Sequence, residues 1–308
     1  MRRKYLILIL LAGLACSVAL VLRKGRPKAR QDEWPVNLAH RGASSLAPEN
    51  TIEAFRLALE AGAGGLELDV HMTRDGHIVV IHDATVDRTT SGSGAVSEMT
   101  LHELRKLDAG HNFRPDGGPT RPYRGRGVRV PTLGEVLEEF REVAVNIEIK
   151  APTPGIEETV LGILRGANAS ERTLVVSTPH AIVKRFRKIS AGLISTGASR
   201  WEIGVFYISS RLRLERLVRP AYDALQVPIR HRGILVVTPR FVRTAHARGV
   251  RVDVWTINQA DEMHRLLDFG VDVIMTDRPE KLAEVLTGSN AELQAAMSRA
   301  TEARPKSV

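Results

Sequence analysis

The sharpest alternation of apolar and polar positions lies at residues 65–83, GLELDVHMTRDGHIVVIHD. Two β-runs, 66–72 and 77–82, flank Asp75-Gly76. Asp-Gly between β-branched and aliphatic runs predicts a tight hairpin. A turn centred between 75 and 76 sets Asp69 opposite His82, and a period of two puts Glu67 on the same face as Asp69. Two carboxylates and an imidazole then share one patch of a sheet. Carboxylates in a half-buried strand repel each other and lose hydration, and a hard divalent cation is the simplest compensation. An exposed hairpin edge carrying ordinary charges is the other reading of this stretch.

From Val36 onward the chain alternates short β-branched runs with stretches of helical period, the pattern of βα units on a parallel sheet. Candidate strands are 36–40, 66–72, 79–82, 143–149, 173–177, 193–196, 224–227, 250–257 and 271–276. Helical stretches include 50–61, 134–141, 239–247, 261–269 and 279–286. Only the step at Asp75-Gly76 is too short for a crossover helix. With the run after it counted as the return arm of a hairpin, eight βα strands remain, the number that closes an α/β barrel of the TIM type, (β/α)8. An open doubly wound sheet is the runner-up, but no glycine-rich phosphate loop opens a helix. The long segment 84–130 reads as an irregular excursion over one end of the barrel. His231-Arg232-Gly233 reads as a solvated loop, and the tail after Gly288 as a weakly amphipathic, fraying end.

With 43% hydrophobic residues in 308, the body can bury a large core. The net charge of +9 suggests nucleic acid until it is divided along the chain. Residues 1–30 hold eight basic residues and no acid, so the remainder is near neutral and a nucleic-acid partner is excluded. Residues 5–22 carry no charge and measure about 27 Å as a helix, enough to cross a hydrocarbon core. An uncleaved single-span transmembrane helix is the first reading, and a cleaved signal segment the second. The single cysteine, Cys16, excludes an internal disulfide and a cysteine zinc site. The organisation expected is an anchor with its basic flank at 1–30, a barrel at 31–287 and a polar tail at 288–308.

In a closed barrel the site lies at the C-terminal ends of the strands. Those ends read His40-Arg41, Glu67 and Asp69, Glu148 and Lys150, Ser177, Trp255 and Asn258, and Thr276-Asp277. Asn146, Glu148 and Lys150 alternate with Ile147 and Ile149, so the three share one inward face. An inward Glu and Lys beside isoleucines need partners, and a structural Glu–Lys ion pair is the alternative to a site. Elsewhere, His71 and His77 read as surface residues, Asn258 and Asp277 as caps of the helices that follow them, and the arginines at 121, 124, 126 and 129 as a solvated loop.

HRGA at 40–43, PENT at 48–51, ELDV at 67–70, HD at 82–83, DRTTSGSG from 87, PTL at 131–133, NIEIK at 146–150, VWTIN at 254–258 and GVDVIMTDRP at 270–279 keep one order and spacing. Together they resemble the glycerophosphodiester phosphodiesterase family, from Val36 to Pro279.

The resemblance implies a metal-dependent hydrolysis of glycerophosphodiesters to sn-glycerol 3-phosphate and an alcohol. It makes Glu67, Asp69 and Glu148 the cation ligands, a hard-oxygen set that suits Mg2+ or Ca2+. It makes His40 and His82 the catalytic pair, and Arg41 and Lys150 the phosphate contacts. Glu49 becomes a candidate ligand or supporting residue, with Asn50 beside it; capping of the helix at 50 is the other reading of Glu49. Ser177 and Trp255 fall at pocket positions, although Thr178-Pro179 departs from the family's usual aromatic. The route implied is attack by the glycerol 2-hydroxyl through a cyclic phosphate that water opens. Two alternatives keep the fold: a lysophospholipase D acting on membrane lysophospholipids, and a catalytically inactive barrel used as a scaffold. No protein partner is indicated. The side of the membrane stays open: the basic flank after residue 22 favours a cytoplasmic body, and likeness to exported enzymes the opposite.

Overall fold

The computed structural model describes residues 34–288. The first strands and helices are β1 (Asn37–His40), α1 (Ile52–Glu60), β2 (Gly65–Met72), β3 (Ile78–Val80), α2 (Leu101–Leu104) and α3 (Leu133–Glu139). Next come β4 (Ala144–Ile149), α4 (Ile156–Gly166), β5 (Thr173–Val176), α5 (His180–Ile189), β6 (Ser195–Thr196) and α6 (Arg200–Arg211). Then come β7 (Ala224–Val227), the short pair β8 (Arg230–His231) and β9 (Ile234–Leu235), α7 (Pro239–Ala247), β10 (Arg251–Val254), α8 (Ala260–Asp268) and β11 (Val273–Thr276), after which residues 279–288 are helical.

Eight parallel strands run in the order β6-β5-β4-β2-β1-β11-β10-β7. A parallel bridge between Gly197 and Ala224 brings the two ends of that path together, and the amide of Ala198 donates to the Ala224 carbonyl at 2.8 Å. This is the eight-stranded barrel expected from the strand count. The stretches expected to form an anchor and a tail, 5–22 and beyond 288, lie outside the described residues. Among the described residues no helix is long and apolar enough to cross a membrane.

Period-two alternation explains the layering. Leu66, Leu68, Ile147 and Ile149 point outward and pack with Phe55, Leu137 and Phe186 of the helices. The inward residues of the same strands are polar. At the N-terminal end of the barrel Trp34 packs against Leu38, Val273 and Met275, and against Leu174, Val176 and Ala224. Its ring lies 4.4 Å from the Arg251 guanidinium, whose Nε and Nη2 meet Asp253 at 2.7 and 3.0 Å. Gln226 donates to both Asp253 and Asn146. A buried charge pair closed by hydrogen bonds on every side is tolerated, where a lone charge would not be.

The expected hairpin register needs correction. The hairpin pairs Val70 with Val80 and Met72 with Ile78, so Asp69 faces Ile81 and not His82. The turn is one residue longer than a two-residue loop: Thr73 pairs with His77 around Arg74, Asp75 and Gly76, and Gly76 takes a φ of +83°. The excursion at 84–130 is largely irregular, as expected, and carries a core of its own. Ile81, Val86, Val96, Leu104, Val128 and Val130 form an apolar cluster of their own, and α2 starts on a Thr100–Glu103 capping box. Of His231-Arg232-Gly233, His231 ends β8 and Arg232-Gly233 form the turn of the exposed ribbon β8–β9.

Gly42 is the tightest point near the site. It sits at φ +84°, and an added Cβ would lie 2.7 Å from the backbone carbon of Ala54 in α1. Gly42→Ala should therefore destabilise the barrel by roughly 1–3 kcal/mol through overpacking, read as a lower urea midpoint at unchanged slope. An unmoved midpoint would contradict this packing.

Candidate active site

Three neighbouring strands aim their charged ends at one point. His40 is in register with Glu67, and Asp69 with Glu148. Carboxylate oxygens of Glu67, Asp69 and Glu148 lie within 4.8 Å of one another. Asp69 and Glu67 are buried, and Glu148 is partly open at the mouth. Two cations lean on the group. Lys150 Nζ stands 2.9 Å from Asp69 Oδ1 and 2.7 Å from Glu148 Oε2. Arg41 Nε lies 3.2 Å from Asp69 Oδ2, and its Nη1 donates to Glu49 at 3.0 Å.

The local chain path explains why these groups meet. Arg41 and Gly42 both take positive φ, which turns the chain sharply off the end of β1. The amide of Asn50 then returns to the Arg41 carbonyl at 2.9 Å, and Asn50 Nδ2 donates to Asp69 Oδ2 at 2.9 Å. Thr51, not Glu49, caps α1 by accepting from the Ala54 amide. Glu49 is left to grip Arg41 on one side and Arg88 on the other, the latter through two bonds of 2.7 and 2.8 Å. Thr178 donates to Glu148 Oε1 at 3.2 Å, so the residue at the departure from the family pattern touches the acidic group.

The charges are unequally compensated. Burial would raise the Asp69 carboxyl, but Lys150 and Arg41 outweigh it and hold the group below its usual range. Glu67 goes the other way: burial, then the Asp69 charge, push its carboxyl up. Its closest donor is one backbone amide, that of Arg41 at 3.0 Å from Oε2. Three converging carboxylates, one of them short of positive charge and none accompanied by sulfur, fit a hard divalent cation.

Each candidate histidine is held through Nδ1 by an aspartate, leaving Nε2 as the ring nitrogen for proton exchange. His40 Nδ1 meets Asp277 Oδ1 at 2.7 Å. Burial would lower the His40 pKa, but the Asp277 bond and the Glu67 charge prevail and raise it. Asp277 also accepts from Ser44 Oγ at 2.9 Å and Asn258 Nδ2 at 2.7 Å. Against its burial, these bonds and His40 bring its carboxyl down to about 2. His82 Nδ1 meets Asp83 Oδ1 at 2.6 Å, and Arg88 Nε donates to Asp83 Oδ2 at 2.6 Å. The Arg88 bond is the main reason the Asp83 carboxyl lies at about 2. His82 lines a cleft with Glu49 and Asn50 and joins the acidic group through the chain Asp83–Arg88–Glu49–Arg41.

Several sequence expectations change. Asp277 and Asn258 do not cap helices: Asp277 fastens His40, and Asn258 fastens Asp277. His71 is buried, with Nε2 on the His82 carbonyl at 3.1 Å and its pKa lowered chiefly by burial. It shares the parity of Glu67 and Asp69, which was the available signal. Ser177 is buried and bonds the Ile149 carbonyl at 2.6 Å, so it supports the strand end that carries Lys150. Trp255 is 43% exposed and stands on the rim. His77 is exposed as expected, and Arg121 and Arg124 tie their own loop to the His111 carbonyl.

The model of the glycerophosphoryl diester phosphodiesterase family matches residues 40–281, which contain every one of these groups. The chain belongs to that family. A glycerophosphodiester phosphodiesterase of Caldanaerobacter subterraneus subsp. tengcongensis is 39% identical over 256 residues, 81% of this chain and 96% of the relative. A glycerophosphodiester phosphodiesterase of Bacillus subtilis is 32% identical over 259 residues, 82% and 87% of the two chains. Among solved structures, a phosphodiesterase of Oleispira antarctica in complex with the product sn-glycerol-3-phosphate is 27% identical, with a TM-score of 0.64 over 81% of this chain and 96% of that one. The chain is thus a phosphoric diester hydrolase with glycerophosphodiester phosphodiesterase activity.

Removing the aspartate from His40 supplies a test. In Asp277→Asn the support that raises the His40 pKa is gone, so the limb of the pH–rate profile that reports His40 should move to lower pH. Turnover should fall within the roughly 100- to 10,000-fold range of an acid–base step. Stability should respond with its own sign: a carboxyl held at about 2 stabilises above its unfolded value of 3.8 and loses that contribution as pH falls towards 2. An unshifted limb in Asp277→Asn would remove Asp277 from the account.

Proposed function

We propose that the site hydrolyses glycerophosphodiesters to sn-glycerol 3-phosphate and an alcohol, with one divalent cation on Glu67, Asp69 and Glu148 and with His40 and His82 moving the protons. The convergence of three carboxylates beside an aspartate-held histidine carries this reading. The product bound to the Oleispira antarctica relative supports the choice of products. When bound, the cation, Mg2+ or Ca2+, supplies Lewis-acid charge to the phosphate group.

The chain's own residues divide the remaining work. Nε2 of one histidine takes the proton of the attacking glycerol 2-hydroxyl as its oxygen bonds to phosphorus. Nε2 of the other gives a proton to the leaving alcohol oxygen as its P–O bond breaks; water then adds to the cyclic phosphate, and the glycerol 2-oxygen leaves phosphorus and takes a proton back. Asp277 and Asp83 keep both rings in the tautomer this requires and stabilise each ring when it is charged. Arg41 and Lys150 border the acidic group and offer donors to the anionic diester. Arg88 clamps Glu49 to Asp83, so the loop at 83–88 is fastened to the PENT turn. Trp255 stands at the end of β10 as an apolar face for the alcohol group. Residues 5–22 act in this reading as a membrane tether for the barrel at 31–287, with 288–308 as a polar tail.

The test is product release by the full chain from glycerophosphocholine and glycerophosphoethanolamine. Chelation by EDTA should abolish release of glycerol 3-phosphate, and added Mg2+ or Ca2+ should restore it. His40→Ala should cost at least about 100-fold in kcat, the low end for an acid–base group. Choline release from lysophosphatidylcholine, with no hydrolysis of the soluble diesters, would replace the reading with lysophospholipase D. Release that survives EDTA would refute the cation assignment.

A further inference from the structure

One surface outside the phosphodiester site is apolar and basic at once. Residues 211–219 read RLRLERLVR, and Arg211, Leu212, Arg213, Leu214, Arg216 and Leu217 are all exposed. Leu212 is 57% exposed, Leu217 51% and Ile208 48%, far above what core leucines and isoleucines show. They are not the inner face of a helix seen obliquely. The helix α6 buries Glu202, Phe206, Ser209 and Ser210 against the barrel, whereas Trp201, Ile208 and Leu212, spaced by seven and four, line its opposite face. A soluble surface helix carries polar residues there.

The ribbon β8–β9 extends the same surface. Tyr207 Oη donates to the Leu235 carbonyl at 3.4 Å, and Arg240 Nη2 donates to the Ser210 carbonyl at 3.0 Å, which holds the ribbon side against the end of α6. The ribbon exposes Ile234 at 53%, with Leu235, Arg230 and Arg232 around it. The acid within 211–219 is Glu215, half-buried and turned towards Arg240 at 3.9 Å. The arginines therefore dominate the field. Because β7 and β10 are parallel, the ribbon, which begins three residues past β7, stands at the end of the barrel where the strands present the site.

We propose that this surface docks on an anionic lipid bilayer. Protein interfaces separate an apolar centre from a polar rim. Here arginine and leucine alternate along the chain, which suits a headgroup boundary: leucines enter the acyl edge while guanidinium groups bond lipid phosphates. The docked barrel would turn its strand C-terminal end, with the phosphodiester site, towards the lipid. This inference does not rest on the site reading or on the tether at 5–22.

Hydrogen exchange of the full chain in lipid nanodiscs tests it without reading activity. On phosphatidylglycerol, peptides covering 208–217 and 230–235 should exchange roughly tenfold more slowly than on phosphatidylcholine. Salt raised to about 0.5 M should erase the difference. The combined variant Leu212→Ser, Leu217→Ser and Ile234→Ser, all at exposed positions, should lose the protection and still hydrolyse soluble diesters. Equal fast exchange on both lipids would overturn the proposal in favour of an acidic protein as occupant. Slow exchange on both would overturn it too, because a segment of the chain itself would then cover the face.

Discussion

Everything at the open end of the barrel answers to one constraint: three carboxylates from adjacent strands must share a small, largely dry volume. Two like charges about 4 Å apart repel by about 4 kcal/mol at the effective dielectric of a protein surface, so neighbours must offset them. Asp69 is served by Lys150, Arg41 and Asn50. Glu148 has Lys150 and Thr178. Glu67 has one backbone amide among its near donors, and its carboxyl is pushed up in consequence. The loop from 41 to 51, with its three left-handed residues Arg41, Gly42 and Asn50, serves this compensation as much as it serves the fold.

The same constraint organises the layers beneath. Inward side chains run from an aromatic plug, Trp34, through the closed polar set of Arg251, Asp253, Gln226 and Asn146, to the charged mouth. The middle set is hydrogen-bonded within itself: Arg251 to Asp253, and Gln226 to both Asp253 and Asn146. Outside β2 and β4 the packing is apolar, as their alternation requires. The two histidines stand at the border of these regimes, each held by an aspartate that is in turn held by a further donor, Asn258 for Asp277 and Arg88 for Asp83.

How much of this was legible in the sequence depended on range. Period-two spacing carried Glu67, Asp69, Glu148 and Lys150 to one face, and counting βα units carried the barrel. The alternation also marked His71, which shares the parity of Glu67 and Asp69, but its closeness to the turn favoured a surface reading. The position of His82 hung on a single residue of turn length, and the Thr73–His77 closure shifted the register by one. The bond between His40 and Asp277 joins residues 237 positions apart, a pairing that only barrel closure creates. Local pattern placed Asp277 at a strand end and left its partner unspecified. Arg88 was visible within a motif, whereas its bridge from Glu49 to Asp83 needed the folded excursion.

The central claim is that Glu67, Asp69 and Glu148 together hold one divalent cation, and calorimetric titration of the full chain with Mg2+ and with Ca2+ tests it most directly. The account predicts one saturable site per chain for at least one of the two ions, lost in Asp69→Asn and weakened in Glu67→Gln. Binding unchanged in both variants, or no saturable binding of either ion, would contradict it.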